Sequence, residues 1–130
     1  MSILNTLFGN NKETKKEKIS FLNWIPLTSL EQLEEIKNQS NEEPIAIFKH
    51  STRCSISSVA INRFEKSFDE SLEDFKVYYL DLISYREVSN EVGYKFQVVH
   101  QSPQLLIIQK EVAIAHASHY EIAEIDLRKF

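Results

Sequence analysis

A short continuous apolar run, PIAIFK at residues 44–49, places the strongest constraint on the fold. Such a run is typical of a strand buried on both faces of a mainly parallel sheet, because helices cover each face. The next segment carries apolar residues four positions apart, as in an amphipathic helix. These are Ile56, Ala60, Phe64 and Phe68. A segment rich in aromatic and β-branched residues then follows, FKVYYLDLI, which predicts another strand. The order strand, helix, strand indicates an α/β protein.

The rest of the chain continues this alternation. NWIPL predicts a short edge strand, TSLEQLEEIKNQS a helix, and residues 85–96 another helix. QLLII and VAIAH are separated by QKE, which is short enough for a hairpin, and a last helix is expected after SHYE. We therefore expect a three-layer α/β/α fold with a central mixed sheet of about five strands, helices on both faces, and the order βαβαββα.

Length and composition are those of one folded domain. The chain has 130 residues, 42% apolar and 26% charged, so residues 21–130 are expected to form a single domain and residues 1–20 a flexible tail. A formal net charge of −4, with no basic helix face, makes nucleic acid an unexpected partner, and no stretch is long enough for a membrane span. A single cysteine cannot form an internal disulfide, which favours a reducing, cytoplasmic location.

The helix that follows the cysteine differs from the other three at its start. Those three begin with Ser or Thr followed three positions later by Glu, the pattern of a capping box. The pairs are Thr28 with Glu31, Ser84 with Glu87, and Ser118 with Glu121. The helix after Cys54 has no such glutamate. Because a nearby carboxylate disfavours a thiolate, its absence leaves the positive helix end free for a negative sulfur.

Cys54 lies in the polar run KHSTRCSIS, where the apolar strand ends and the helix begins. A lone cysteine is often only a small buried residue, but this polar setting favours a reactive thiolate. Arg53 is an adjacent cation, and Ser57, one helical turn later, could hydrogen-bond to the sulfur. Since a CxxS site has no second thiol to resolve its own mixed disulfide, the second step needs a thiol from outside.

Pro103 is the second element of the predicted site. A Ser-Pro segment just before the hairpin can place the proline beside the cysteine. The alternatives are a cis bond there and an ordinary trans proline at a strand entry. No metal site is expected, because the histidines lack a convincing set of neighbouring ligands. They are His50, His100, His116 and His119. Polar lining near the start of the last helix, where N–H groups could hold an anionic part of a ligand, is the role we favour for His116 and Ser118.

These features together resemble a known family. The element order, the cysteine at the helix start and the Ser-Pro segment look like a thioredoxin-type fold. More narrowly, WIPLTSLEQLEEI, FKHSTRCSIS and Ser-Pro resemble the bacillithiol-system redox-active proteins, the YtxJ-like monothiol bacilliredoxins, from about residue 22 to the end. The resemblance implies that Cys54 is the nucleophile, Ser57 occupies the resolving-cysteine position and Pro103 is the cis-proline. Ser55 stands where family members often have proline.

The function implied by this resemblance is monothiol thiol–disulfide exchange in cell redox homeostasis. Cys54 would remove a low-molecular-weight thiol such as bacillithiol from protein mixed disulfides, with that thiol as co-substrate and no permanently bound cofactor. The implied partners are the small thiol and S-thiolated client proteins, and we expect a monomer. The remaining residues assigned to the thiol-binding groove are Thr52, Arg53 and Ser102. Two alternatives stay open: a non-catalytic redox sensor or client-binding module, and a structural adaptor with an incidental thiol.

Overall fold

Strand β2 (Ile45–His50) is buried along its whole length in the computed structural model, which describes residues 21–130. It pairs in parallel with β3 (Lys76–Asp81) and antiparallel with β4 (Gln104–Gln109). The apolar run therefore forms the central strand of the sheet, as its composition predicts. The expectation for residues 1–20 lies outside the described residues.

The sheet has five strands in the spatial order β1-β3-β2-β4-β5. The edge strands are β1 (Trp24–Pro26), parallel to β3, and β5 (Val112–Ser118), antiparallel to β4. The α-helices are α1 (Glu31–Gln39), α2 (Ser55–Lys66) and α3 (Arg86–Phe96). The predicted mixed sheet is confirmed. The observed order is βαβαβαββ, so the predicted order βαβαββα lacks one strand–helix pair and has a final α-helix that is not formed.

Helices cover both faces of the sheet, as predicted. On one face α1 and α3 bury Leu33, Ile36 and Val92 against the sheet. On the other face α2 buries Ala60 and Phe64. Ile56, the first member of the predicted stripe, is 38% exposed because it lies in the first turn of α2, at the end of the sheet.

The predicted capping box of α1 is wrong. Its N-cap is Leu30, which makes no side-chain cap. The Gln32 side-chain oxygen instead accepts hydrogen bonds from the backbone N–H groups of Thr28 (2.7 Å) and Ser29 (3.1 Å). Gln32, a residue of the helix itself, thus holds the preceding turn through these bonds, and Glu31 is an acidic residue of the first turn that does not cap the helix.

The capping box of α3 is also wrong. The N-cap is Tyr85, and the Ser84 hydroxyl lies 3.0 Å from the Asp81 carboxylate instead of capping the helix. Asp81 also accepts the backbone N–H of Ile83 at 3.1 Å. The aspartate at the end of β3 therefore organises the turn, since its carboxylate is a stronger acceptor than a serine hydroxyl.

The last predicted helix is a 3₁₀ segment, His119–Glu124, followed by a second one, Leu127–Lys129. Ser118 ends β5 and makes no side-chain cap, so this capping box is wrong too. Only Ile122 and Leu127 are buried in this region, and a spacing of five positions does not make a continuous α-helical face. A further 3₁₀ turn, Glu70–Leu72, precedes β3. Within the described part of the chain, no helix is long and apolar enough to cross a membrane.

Candidate functional site

Cys54 is the N-cap residue of α2, at the end of the sheet where β2 finishes. Its backbone is extended (φ −113°, ψ 123°), its N–H donates to the Ser51 carbonyl at 3.2 Å, and its carbonyl accepts the Ser58 N–H at 3.1 Å. The residue is partly exposed. The tight turn at 51–54 therefore presents the thiol at a helix N-terminus that solvent can reach.

The charge pattern around this helix start follows the sequence prediction. The first turn of α2 has no acidic residue, whereas Glu31 and Glu34 lie in the first turn of α1 and Glu87 in that of α3. The basic residues of α2, Arg63 and Lys66, lie in its last turn. Among the three α-helices, only the one behind Cys54 keeps its positive end without a carboxylate, which favours a negative sulfur.

Ser57 is fully buried and its hydroxyl faces His50. The hydroxyl oxygen lies 2.7 Å from His50 Nδ1 and accepts the backbone N–H of Ser51 at 3.0 Å. The expected hydrogen bond from Ser57 to the Cys54 sulfur is not formed among residues 21–130, because the hydroxyl is already engaged by these two groups. Ser57 thus ties the turn carrying Cys54 to the end of β2.

The ionisation of His50 decides how this contact is made. Burial lowers the pKa of His50, and the negative charges of Asp81 and Glu65 oppose that shift only in part. The ring is therefore mainly neutral near pH 7. With the ring proton on Nε2, Nδ1 accepts the Ser57 hydroxyl proton while the Ser57 oxygen accepts the Ser51 N–H. Each polar group of this buried contact has a partner.

The Ser102–Pro103 bond is cis, as predicted. Gln104, the next residue, pairs with Lys49 in β2, so Pro103 lies beside the end of β2 from which the turn to Cys54 starts. Pro103 is buried, and its carbonyl accepts the His119 N–H at 3.1 Å. The Ser102 hydroxyl is buried and has no hydrogen-bond partner in the described part of the chain. The proline and the cysteine therefore share one end of the sheet.

The other predicted groove residues fall into two groups. Thr52 and Arg53 are exposed in the turn before Cys54. His116 and Ser118 line a separate groove of about 560 Å³ together with Gln104. The partner of His116 in β4 is Leu106, which packs with α1 and α3, so this groove opens on the sheet face opposite to α2. The structure thus gathers Thr52, Arg53, Cys54, Ser57, Ser102 and Pro103 at one end of the sheet. Ser118 ends the edge strand β5 at the same end, opposite Gln104, and His116 lies two residues before it, opposite Leu106.

Sequence reasoning missed Lys49. It is fully buried, its ammonium donates to the Ser89 carbonyl at 3.2 Å, and it lies 3.2 Å from His100 Nδ1. Burial lowers the pKa of Lys49 to about 8. The available signal was a charged residue inside an otherwise apolar strand, since β2 has no solvent-facing side.

Metal ligands are not grouped in the part of the chain that the structure describes. No cluster of three or more His, Cys, Asp or Glu residues there could hold a metal ion.

Several solved structures resemble this chain in fold. One, described as a candidate oxidoreductase with a thioredoxin fold, shares 30% identity, with a TM-score of 0.65 over 76% of this chain and 85% of the other. Thioredoxin from Malassezia sympodialis, Mala s 13, shares 15% identity with a TM-score of 0.65, covering 82% and 87%. Thioredoxin from Trypanosoma brucei brucei shares 15% with a TM-score of 0.64, covering 82% and 88%. The two thioredoxins show that the fold is thioredoxin-like.

A sequence family gives the more specific relationship. The model of the monothiol bacilliredoxin BrxC family matches residues 25–127, which include the whole sheet except the first residue of β1. The match contains Cys54 at the start of α2, Ser57 in the following turn and the cis-proline at 103. Family and fold together support thiol oxidoreductase chemistry, and the chain belongs to the monothiol bacilliredoxin family.

Proposed function

We propose that this protein removes a low-molecular-weight thiol, with bacillithiol as the expected one, from protein mixed disulfides through Cys54 alone. The observation that carries the proposal is the position of Cys54: a partly exposed thiol at the N-cap of a helix whose first turn has no carboxylate. Ser57 occupies the position of a second thiol, and its hydroxyl is committed to His50 and Ser51. The site therefore supplies one nucleophile and no internal resolving group.

The first step is attack of the Cys54 thiolate on the small-thiol sulfur of the mixed disulfide. The bond between the two substrate sulfurs breaks, the client leaves as a thiolate that takes a proton from water, and Cys54 retains the small thiol in a new disulfide. We expect the substrate disulfide to approach between the Ser102–Pro103 segment and the exposed Thr52 and Arg53.

The second step uses a thiol from solution. A second small-thiol thiolate attacks the small-thiol sulfur held on Cys54, which releases the symmetrical small-molecule disulfide and regenerates the Cys54 thiolate. The net reaction consumes one free small thiol and the mixed disulfide and yields the client thiol and the symmetrical disulfide, so the incoming thiol is oxidised as the client sulfur is reduced and no bound cofactor takes part. The proposed setting is a reducing cytoplasm, with the protein acting as a monomer on S-thiolated clients.

The test is turnover on an S-bacillithiolated client protein with excess reduced bacillithiol. We expect many client thiols to be released per protein molecule, and none by Cys54→Ser. A Ser57→Cys variant is the matched control, since a second thiol there should allow an internal disulfide that competes with the small thiol. Release of no more than one client thiol per molecule would contradict the proposal and favour the redox-sensor alternative.

A further inference from the structure

Lys49 is a buried charged residue for which the thiol chemistry has no use. Its ammonium has three N–H donors, and the described residues engage two of them, through the Ser89 carbonyl and His100 Nδ1. None of the ion pairs within residues 21–130 includes Lys49. Burial lowers its pKa to about 8, so most of it is still protonated at pH 7. The protein therefore buries a cation without a counter-charge, which is costly unless an anion joins it.

Two unpartnered polar atoms belong to residues that bind or pair with Lys49. The Ser89 hydroxyl and the Gln104 side-chain oxygen are buried and have no hydrogen-bond partner in the described chain. Ser89 is the residue whose carbonyl binds Lys49, and Gln104 pairs with Lys49 across β2 and β4. Unpaired buried groups of this kind need an explanation. The hydroxyl can donate to an anion, and the amide oxygen can accept an N–H group of the same ligand.

His100, whose Nδ1 lies 3.2 Å from the Lys49 ammonium, joins this buried cluster to the surface. His100 is exposed and lines a groove of about 420 Å³ along α3. Burial, and then the positive charges of Lys49 and Arg86, lower the pKa of His100, with no carboxylate acting against them. In a chain of formal net charge −4, this locality attracts negative groups.

We propose that Lys49 and Ser89, reached through the groove beside His100, bind a carboxylate of the small thiol that reacts with Cys54. The carboxylate replaces His100 as the partner of the Lys49 ammonium, which gives the buried cation its counter-charge. This inference rests on the proposed function and names the part of the small thiol that the protein recognises.

The distances along the chain allow one ligand to reach both places. His100 is three residues from Pro103, so their Cα atoms are at most about 11 Å apart. Pro103 lies at the end of β2 from which the turn to Cys54 starts. Cys54 is five residues from Lys49, so their Cα atoms are at most about 18 Å apart, a span that a thiol of the size of a short peptide can cover.

Binding can be tested without any reaction. Cys54→Ser protein is titrated with S-methyl mercaptosuccinate, which carries carboxylates, and with neutral 2-(methylthio)ethanol, while NMR follows the His100 ring signals. We expect a saturable shift with the carboxylate ligand only. Adding Ser89→Ala should weaken binding severalfold without affecting the fold, because its hydroxyl has no partner to lose. Lys49→Met, introduced into the Cys54→Ser protein, should weaken binding of S-methyl mercaptosuccinate at least tenfold. Equal responses to both ligands, or unchanged affinity in both variants, would overturn the carboxylate site.

Coupling to Cys54 is tested with two symmetrical disulfides, those of mercaptosuccinate and 2-mercaptoethanol. With Cys54 intact, Lys49→Met should slow adduct formation about tenfold with the carboxylate disulfide and leave the neutral one unchanged. An equal slowing of both would contradict the inference. If neither disulfide labels Cys54 in the wild type, the proposed function fails, while the binding titration still decides on the carboxylate site.

Discussion

Replacing Ser57 by alanine should destabilise the protein far more than an ordinary surface substitution. The Ser57 hydroxyl is fully buried and joins His50 Nδ1 (2.7 Å) to the Ser51 N–H (3.0 Å). Alanine leaves one acceptor and one donor without a partner, and each such group costs about 1–3 kcal/mol when water cannot reach it. Because Ser51 is only partly buried, we expect a loss of about 2–4 kcal/mol in the free energy of unfolding.

The assay is urea unfolding at pH 7 of wild type, Ser57→Ala and Ser58→Ala. Ser58 is the matched control, since it is exposed and its hydroxyl makes only a 3.4 Å contact to the Cys54 carbonyl. Ser58→Ala should change the free energy of unfolding by no more than about 0.5 kcal/mol. If Ser57→Ala lost less than about 1 kcal/mol, or no more than Ser58→Ala, the hydroxyl would not be the tie between β2 and the cysteine turn.

Three further predictions concern buried and strained residues. The pKa of Lys49 falls from 10.5 to about 8 on folding, so the native state binds fewer protons than the unfolded state between these values. The free energy of unfolding of the wild type should therefore rise by about 2–3 kcal/mol from pH 8 to 10.5, relative to that of Lys49→Met. The same pH dependence of the free energy of unfolding in both proteins would refute this. The pKa of His50 is lowered on folding, so wild type should lose stability relative to His50→Asn, whose amide oxygen can still accept from Ser57, as pH falls below 6.5; parallel profiles would be contrary evidence. Gln97 ends α3 with φ 56°, so Gln97→Gly should raise the free energy of unfolding by about 0.5–1 kcal/mol, and a loss would show that its side chain matters more than its backbone.

The sheet was predictable because its strands have a strong local signal. An apolar run such as Ile45–Phe48 can be satisfied only between two helical layers, and the four-residue spacing of Ala60, Phe64 and Phe68 supplies one of them. The helix starts were not predictable, because several oxygens compete for the same N–H groups. The longer side chain of Gln32 and the negative charge of Asp81 make them the acceptors that bind these N–H groups. A pattern of Ser or Thr followed by Glu does not take either property into account.

The site was predictable where one residue type decides the geometry. A cysteine between a strand and a helix predicted a helix that starts after Cys54, although Thr52 and Ser51 were the expected caps and Cys54 is itself the N-cap. The cis bond at Pro103 was implied by the family resemblance and is present. The contact between Ser57 and His50 was not predictable, because seven residues separate them and their meeting depends on the turn between. Lys49 was missed for a similar reason, since its neighbours Ser89 and His100 come from distant segments.

The central claim is that Cys54 acts as a lone, reversible acceptor of a small thiol. The most direct measurement is the intact mass of reduced protein incubated with a panel of oxidised low-molecular-weight thiols, followed by addition of the matching reduced thiol. We predict one adduct per chain. Its mass increase should equal the mass of one small thiol minus two hydrogens, one lost from the Cys54 sulfur and one from the small thiol. It should be located on Cys54, form fastest with bacillithiol disulfide and be removed by the reduced thiol. No adduct with any member of the panel, or an adduct that the reduced thiol cannot remove, would contradict the account.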